Sequence, residues 1–285
     1  NATRPEIEQI MIANNKMLDN THFENDLYVI RRRIENAVLS ANIADFYVCS
    51  LSCRSVIYKG MFRAEQLTDF YPDLLDERFV SNFAIYHQRY STNTFPTWRL
   101  AQPFRVLAHN GEINTLRGNI NWMACHEPRM GSALFGDNIE DVKPVIQPVA
   151  SDSAALDAVY EVMVRADRPL PMVQAMMIPD AWSHKPAMPQ AHRDLYAYTN
   201  SVMEPWDGPA ALAAFGGRWV MAGMDRNGLR PLRYTLTDDG LLVVGSETGM
   251  VRVDEANVAE KGRVGPGQMI AVDLAEGRLY HDREL

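Results

Sequence analysis

Long hydrophobic runs are missing from this 285-residue chain. No apolar stretch approaches the roughly 20 residues that span a bilayer, and nothing matches a signal peptide, so no membrane partner is expected. Cysteine is scarce: Cys49, Cys53 and Cys125 are too few and too irregularly spaced for a disulfide framework or a zinc site. A reducing, cytoplasmic compartment is the expectation. The seven histidines show neither HxH nor HExxH spacing, which leaves metal binding unsupported. Basic runs stop at Arg31-Arg32-Arg33 in a chain of net charge −8, a poor match to nucleic acid. Gly262-Arg-Val-Gly265-Pro-Gly267 lacks the Lys-Ser/Thr of a phosphate loop and the βα setting of a dinucleotide fingerprint.

Apolar residues make up 47% of the chain, enough for a real core, and the length suits one large domain or two small ones. No internal repeat, low-complexity tract or interdomain linker divides it, so residues 1–285 read as one domain. The chain opens at Asn1, without an initiator Met, on the helix-like ATRPEIEQIMIANNKML, with Thr3 as a candidate cap and Pro5 near the first turn. The expectation is a domain whose N-terminal portion lies elsewhere.

Residues 24–41 place Leu27, Ile30, Ile34 and Val38 on one stripe, predicting an amphipathic helix with its arginines on the solvated face. Segments 46–59 and 83–89 carry β-branched and aromatic residues and read as strands. A short strand over 105–109 is expected to end at an Asn-Gly turn, followed by a helix over 114–127. Ser151 or Asp152 suits an N-cap for a helix with Leu156, Val159, Tyr160 and Met163 inward. Residues 189–203 look helical, and 179–189 look like a Pro-rich loop. Beyond 209 the pattern changes to strands at 210–215, 218–224, 232–236, 241–244 and 268–274, with turn signals at 225–228 and 238–240. Helices before and between antiparallel strands predict an α+β layered fold. The three cysteines read as inert core thiols.

Three short motifs carry chemistry: His87-Gln-Arg89-Tyr-Ser-Thr92-Asn93, His109-Asn110-Gly111 and Ser151-Asp152-Ser153. Together they offer a cation, an amide donor pair and an anion. A guanidinium holds a carboxylate in a two-pronged fork. A carboxylate holds an ammonium, and an Asn amide with a neighbouring Gly N–H can converge on a carbonyl oxygen under attack. Each residue also has an ordinary use: Arg89 in a surface ion pair, Asn110-Gly111 in a hairpin turn, Asp152 as a helix cap. His87 and His109 read as structural histidines beside a strand end rather than as a general base. Trp98, Trp122 and Trp206 read as core packing.

The run FAIYHQRYSTNTFPTWRLAQPFRVLAHNGEINTLRGNINWM (83–123) resembles the glutaminase domain of the glutamate synthases, within the class II glutamine amidotransferases. The resemblance continues through SDSAALDAVYEVMVRA (151–166), AMMIPDAW (175–182), DGPAALAAFGGRWVMAGMDRNGLRPLRY (207–234) and VGPGQMIAVDL (264–274). It implies an N-terminal-nucleophile hydrolase, a four-layer α/β/β/α sandwich that hydrolyses the side-chain amide of L-glutamine. Arg89 would clamp the α-carboxylate, Asp152 would bind the α-ammonium with Ser151 left to cap, and Asn110 with Gly111 would form the oxyanion hole. Tyr90, Thr92 and Asn93 would line the rim. Class II relatives often carry Trp and His where this chain has Tyr90 and Asn93, which brings it nearer the glutamate synthase pattern.

In such enzymes an N-terminal cysteine attacks and its own α-amine, titrating near pH 8, takes the thiol proton. None of Cys49, Cys53 or Cys125 can bear that amine, so the nucleophile is expected outside these residues. The resemblance further implies ammonia passing to a downstream synthase domain of the same polypeptide. FMN and an iron–sulfur cluster there would serve glutamate formation from 2-oxoglutarate. An NADPH-oxidising small subunit or ferredoxin would supply electrons, and no cofactor is expected in this domain. Two alternatives stay open: a glutamine-binding module without catalysis, and the glutaminase half of another class II amidotransferase.

Overall fold

A computed structural model describes residues 5–90, 95–148 and 150–285. In chain order the helices are α1 (Asn20–Ser40), α2 (Leu67–Phe70), α3 (Leu116–His126), α4 (Asp152–Arg165), α5 (Leu170–Met177) and α6 (Gln190–Val202). The strands are β1 (Leu107–Gly111), β2 (Ala210–Phe215), β3 (Trp219–Met224), β4 (Arg233–Thr237), β5 (Leu242–Gly245), β6 (Val258–Arg263), β7 (Met269–Asp273) and β8 (Arg278–His281). Five strands form an antiparallel sheet in the order β1-β2-β3-β7-β8, and three form a second in the order β5-β4-β6.

The five-stranded sheet is covered on both faces. Alternate residues of a strand point to opposite faces, and the core divides accordingly. Ala210, Leu212, Ala214, Met221, Met269 and Ala271 join Leu156, Val159, Tyr160, Leu170 and Val173 of the helices. Ala211, Ala222, Met224 and Ile270 pack instead with Leu232, Val264, Tyr234 and Leu242, which belong to the second sheet and its flanks. Helix layer, sheet and sheet stack in that order, and the α+β class stands.

The C-terminal half follows its sequence pattern closely. The polar strands β6 and β8 were not expected, because neither has a buried residue and both carry charges. The N-terminal half departs more. Residues 5–14 form no helix, and Ile10 and Met11 lie 64% and 91% exposed, since short helices need a packed face to persist. Thr3 lies outside the described residues. The first helix begins at Asn20 instead, where the Asp19 carboxylate accepts from the Thr21 and His22 amides.

Segments 46–59 and 83–89 join no ladder. Residues 83–88 still alternate between half-buried and exposed, so the strand pattern survives without a hydrogen-bonding neighbour.

The arginine triplet is also misread by pattern. Only Arg33 is exposed, whereas Arg31 and Arg32 are buried at 2% and 3%. Arg31 donates to Glu35 at 2.8 Å and Glu161 at 2.5 Å, and Arg105 reaches the same Glu35 oxygen at 2.7 Å. Burial pushes the Glu35 carboxyl up, but Arg31, Arg105 and Arg32 outweigh it and hold the group down at about 2. A buried guanidinium is tolerated here because nearly every donor finds a carboxylate or a carbonyl.

Candidate functional site

Strand β1 delivers two of the expected residues. Asn110 and Gly111 do not form a turn: both remain in the ladder, opposite Ala211 and Ala210 of β2. The pairing continues as Glu112 and Asn114 donate to the carbonyls of Pro209 and Asp207 at 3.0 and 2.8 Å. An Asn-Gly pair favours a turn only when no strand competes for its backbone, and here β2 does. Glycine is nonetheless required, because a Cβ at Gly111 would lie 1.8 Å from the Pro209 carbonyl oxygen. Asn110 is exposed, and its side chain lies on the sheet face opposite that of His109.

Helix α4 delivers the anion. Ser151 is the cap, its hydroxyl accepting from the Ala154 amide at 3.2 Å. Asp152 is thereby released from capping. Its Oδ2 accepts from the Ile113 amide at 2.9 Å, and its Oδ1 accepts from the Ser153 amide at 2.7 Å and hydroxyl at 3.1 Å. The Ile113 bond ties the carboxylate to the chain two residues beyond Gly111.

His109 completes the tie, with Nε2 2.5 Å from the Ser153 hydroxyl. Burial pushes the imidazole down to about 4, so it is neutral near pH 7. Since the hydroxyl gives its hydrogen to Asp152, Nε2 is the protonated nitrogen, and Nδ1 is left as a buried acceptor without a partner among the described residues. Through Ser153 the imidazole ties β1 to the start of α4. His87 is lowered by burial, offset in part by a hydrogen bond with the His109 backbone, which places residue 87 beside β1.

Arg89 and Tyr90 follow His87 on the extended segment. Arg89 is exposed and pairs with no carboxylate among the described residues. Tyr90 fastens the segment's far side: its hydroxyl donates to the Thr97 carbonyl at 3.2 Å and accepts from the Thr97 amide at 3.0 Å. Thr92 and Asn93 lie outside the described residues. Asn110, Gly111 and Asp152 are thus brought to one corner by explicit bonds, and Arg89 follows the residue that lies against that corner.

Sequence reasoning missed three supporting residues. Gln102 bonds both backbone groups of His109, at 2.7 Å to the amide and 3.2 Å to the carbonyl. Asp157, buried at 2%, accepts from the Arg105, Val106 and Leu107 amides at 3.1, 2.8 and 3.0 Å. Ser153 joins His109 to Asp152. The visible signal was the polar position inside an otherwise apolar helix face at Asp157.

Cys53 and Cys125 are exposed and Cys49 half-buried, which corrects the expectation of three core thiols. Burial holds the Cys49 and Cys53 thiols above their ordinary range, the wrong direction for a nucleophile. Among the described residues no cluster of three or more His, Cys, Asp or Glu could hold a metal ion. No described helix is long and apolar enough to cross a membrane. A cavity of about 870 Å³ bordered by Arg54, Phe83, Phe215 and Trp219 lies at the far end of β2, roughly 17 Å of strand away from Gly111.

The pattern of the class-II glutamine amidotransferases matches residues 1–285. The "Glutamate synthase [NADPH] large chain" of Azospirillum brasilense is 67% identical over 285 residues, 100% of this chain and 19% of that protein. Its namesake from Bacillus subtilis (strain 168) is 45% identical over 99% of this chain and 18% of its own length. "Ferredoxin-dependent glutamate synthase, chloroplastic" of Spinacia oleracea is 46% identical over 99% of this chain and 18% of that protein. This chain therefore spans about a fifth of the length of the curated relatives it matches. The chain belongs to the class-II glutamine amidotransferases.

Proposed function

We propose that this class-II glutamine amidotransferase chain is the glutaminase portion of a glutamate synthase, releasing ammonia from L-glutamine. The observation that carries the reading is the Asp152 carboxylate bonded at 2.9 Å to the Ile113 amide, which fixes an anion beside the Asn110-Gly111 corner. An exposed guanidinium without a carboxylate partner among the described residues, Arg89, lies two residues after His87, whose ring meets the backbone of that same β1.

In this reading Arg89 forks the α-carboxylate of glutamine and Asp152 takes its α-ammonium, with Tyr90, Thr92 and Asn93 at the rim. A cysteine thiolate other than Cys49, Cys53 and Cys125 attacks the side-chain amide carbon. A carbon–sulfur bond forms, the carbonyl electrons move onto oxygen, and Asn110 Nδ2 with the Gly111 N–H hold that oxyanion. The thiol proton, taken up by the cysteine's own α-amine, passes to the departing nitrogen as the carbon–nitrogen bond breaks. Water then adds to the thioester, sulfur leaves, and glutamate is released.

The ammonia would pass to a synthase domain elsewhere in the polypeptide, where FMN and an iron–sulfur cluster would serve glutamate formation from 2-oxoglutarate. An NADPH-oxidising small subunit is a candidate partner, and the cytoplasm the proposed compartment. The test is ammonia release from glutamine by the full-length protein, with and without 2-oxoglutarate and a reductant. Glutamine binding without ammonia would instead mark a binding module. Ammonia without 2-oxoglutarate-dependent glutamate would point to another amidotransferase.

A further inference from the structure

The outer edge of β1 is blocked by side chains up to one position short of the proposed oxyanion donor. The Phe215 amide donates to the Val106 carbonyl at 2.8 Å, and the Glu112 amide donates to the Pro209 carbonyl at 3.0 Å. These two bonds bracket the β1–β2 ladder and fix its alternation: even-numbered residues of β1 bond β2, and odd-numbered residues turn their N–H and C=O to the open edge. Since β1 ends the sheet, those groups face no strand.

Their partners are side chains and a loop. The Leu107 amide meets Asp157 Oδ1 at 3.0 Å, and the Leu107 carbonyl accepts from the Phe104 amide at 2.9 Å. The His109 amide meets Gln102 Oε1 at 2.7 Å, while the His109 carbonyl accepts from Gln102 Nε2 at 3.2 Å. A primary amide presents one acceptor and one donor much as a peptide unit does, so Gln102 serves as a strand of a single unit. Gly111 is the next odd residue, and its N–H makes no hydrogen bond among the described residues.

Gln102 is itself held from behind. Lys59, 3% exposed, donates to the carbonyls of Arg99 and Ala101 at 2.9 and 2.7 Å, fixing the backbone immediately before it.

We propose that Gln102 is a positioning residue for glutamine hydrolysis: it closes the β1 edge at His109 and so presents the Gly111 N–H, unspent and correctly aimed, to the developing oxyanion. The inference rests on the reading of Asn110 and Gly111 given above. An edge left open would twist and could recruit another strand, and a donor displaced by a fraction of an ångström loses most of its transition-state advantage. Glutamine binding would be spared, because Arg89 and Asp152 do not touch Gln102.

The test is Gln102→Leu in the full-length protein, with Asn110→Ala alongside. The expected result is a kcat for glutamine hydrolysis lowered about 10²-fold by Gln102→Leu, with KM within about threefold and the stoichiometry of glutamate binding by calorimetry unchanged. A purely structural role would lower that stoichiometry and kcat together. If Asn110→Ala loses activity but a folded Gln102→Leu keeps kcat within twofold, the inference fails and the oxyanion reading survives. If Asn110→Ala itself keeps full turnover, the oxyanion reading falls and takes this inference with it.

Amide exchange in the unaltered protein gives a second measurement that no folding failure can spoil. The Leu107 and His109 amides should be protected and Gly111 fast. His109 exchanging as fast as Gly111 would overturn the role of Gln102.

Discussion

Asn110 and Asp152 sit where almost every neighbouring polar group already has a partner, whereas Arg89 sits on a segment with few. The corner is built from a strand, a helix start and side-chain bridges from Gln102, Ser153 and Asp157. The arm carrying Arg89 is extended and unladdered, held by the Phe83 ring stacked on Phe215 and by Tyr90 on Thr97. The contrast matches the chemistry proposed for each. Stabilising a charge that exists only at the transition state needs donors fixed in advance, because reorganising them would consume the benefit. Gripping a carboxylate present throughout the reaction tolerates an adjustable arm, whose fork settles as the ligand arrives.

The sharpest way to break this comparison is Asn110→Ala. It should lower kcat for glutamine hydrolysis by roughly 10²–10³ while KM moves little. A raised KM at unchanged kcat, measured by steady-state ammonia release, would put Asn110 with the arm instead.

Stability gives the next largest contrast. Asp157→Ala strands two buried amides and a part-buried one, each buried amide costing about 1–3 kcal/mol, so urea unfolding should register a loss of at least about 2 kcal/mol. Tyr90→Phe removes one exposed hydroxyl and should cost well under about 1 kcal/mol. Equal losses would show that the arm is as tightly built as the corner.

Acid should attack the corner from its rear wall. Glu35, held at about 2 against an ordinary 4.5, binds its proton less readily folded than unfolded. Its contribution is therefore complete above about pH 4.5 and lost as pH falls toward 2, and the gap corresponds to about 3 kcal/mol. Arg105 reaches Glu35 with its side chain and Asp157 with its amide, so this loss is transmitted to the start of β1. Denaturant midpoints measured from pH 6 to 2 should fall steeply, and the Glu35→Gln protein should show a shallower slope.

Arg89→Lys tests the arm alone. A point-charge ammonium cannot reproduce the fork, so KM for glutamine should rise about tenfold with kcat largely kept. An unchanged KM would remove Arg89 from carboxylate binding.

How much of this was readable beforehand differs between the same regions. Strands β2, β3, β4, β5 and β7 and helix α4 announce themselves through apolar runs, turn glycines and a capping serine, all local signals, whereas β6 and β8 do not. Which of Ser151 and Asp152 caps α4 was left open by the residues themselves, and only the family resemblance assigned the cap to Ser151, where the structure has it. Asn110-Gly111 misled because turn preference is local while the competing ladder comes from β2, 100 residues away. Arg31 and Arg32 misled because a helix pattern scores arginine as solvent-facing, and only the fold supplies Glu161 and the Val142 carbonyl as distant partners. Gln102 gave no pattern at all: its role depends on which residues of β1 face the edge, a register that no single segment encodes.

The finest test concerns Ser153, which belongs to the corner by contact and to the binding set by effect. Its hydroxyl gives a hydrogen to Asp152 and takes one from His109. Ser153→Ala leaves Asp152 with its amide bonds from Ile113 and Ser153, so the carboxylate should loosen rather than depart. KM for glutamine should rise only two- to fivefold, about 1 kcal/mol at most, with kcat nearly unchanged. The His109 Nε2–H would lose its acceptor, a change visible in the imidazole nitrogen shifts by NMR. If kcat falls while KM holds, the Asp152–Ser153–His109 bridge serves the oxyanion side, and the boundary between corner and arm lies on the other side of Asp152.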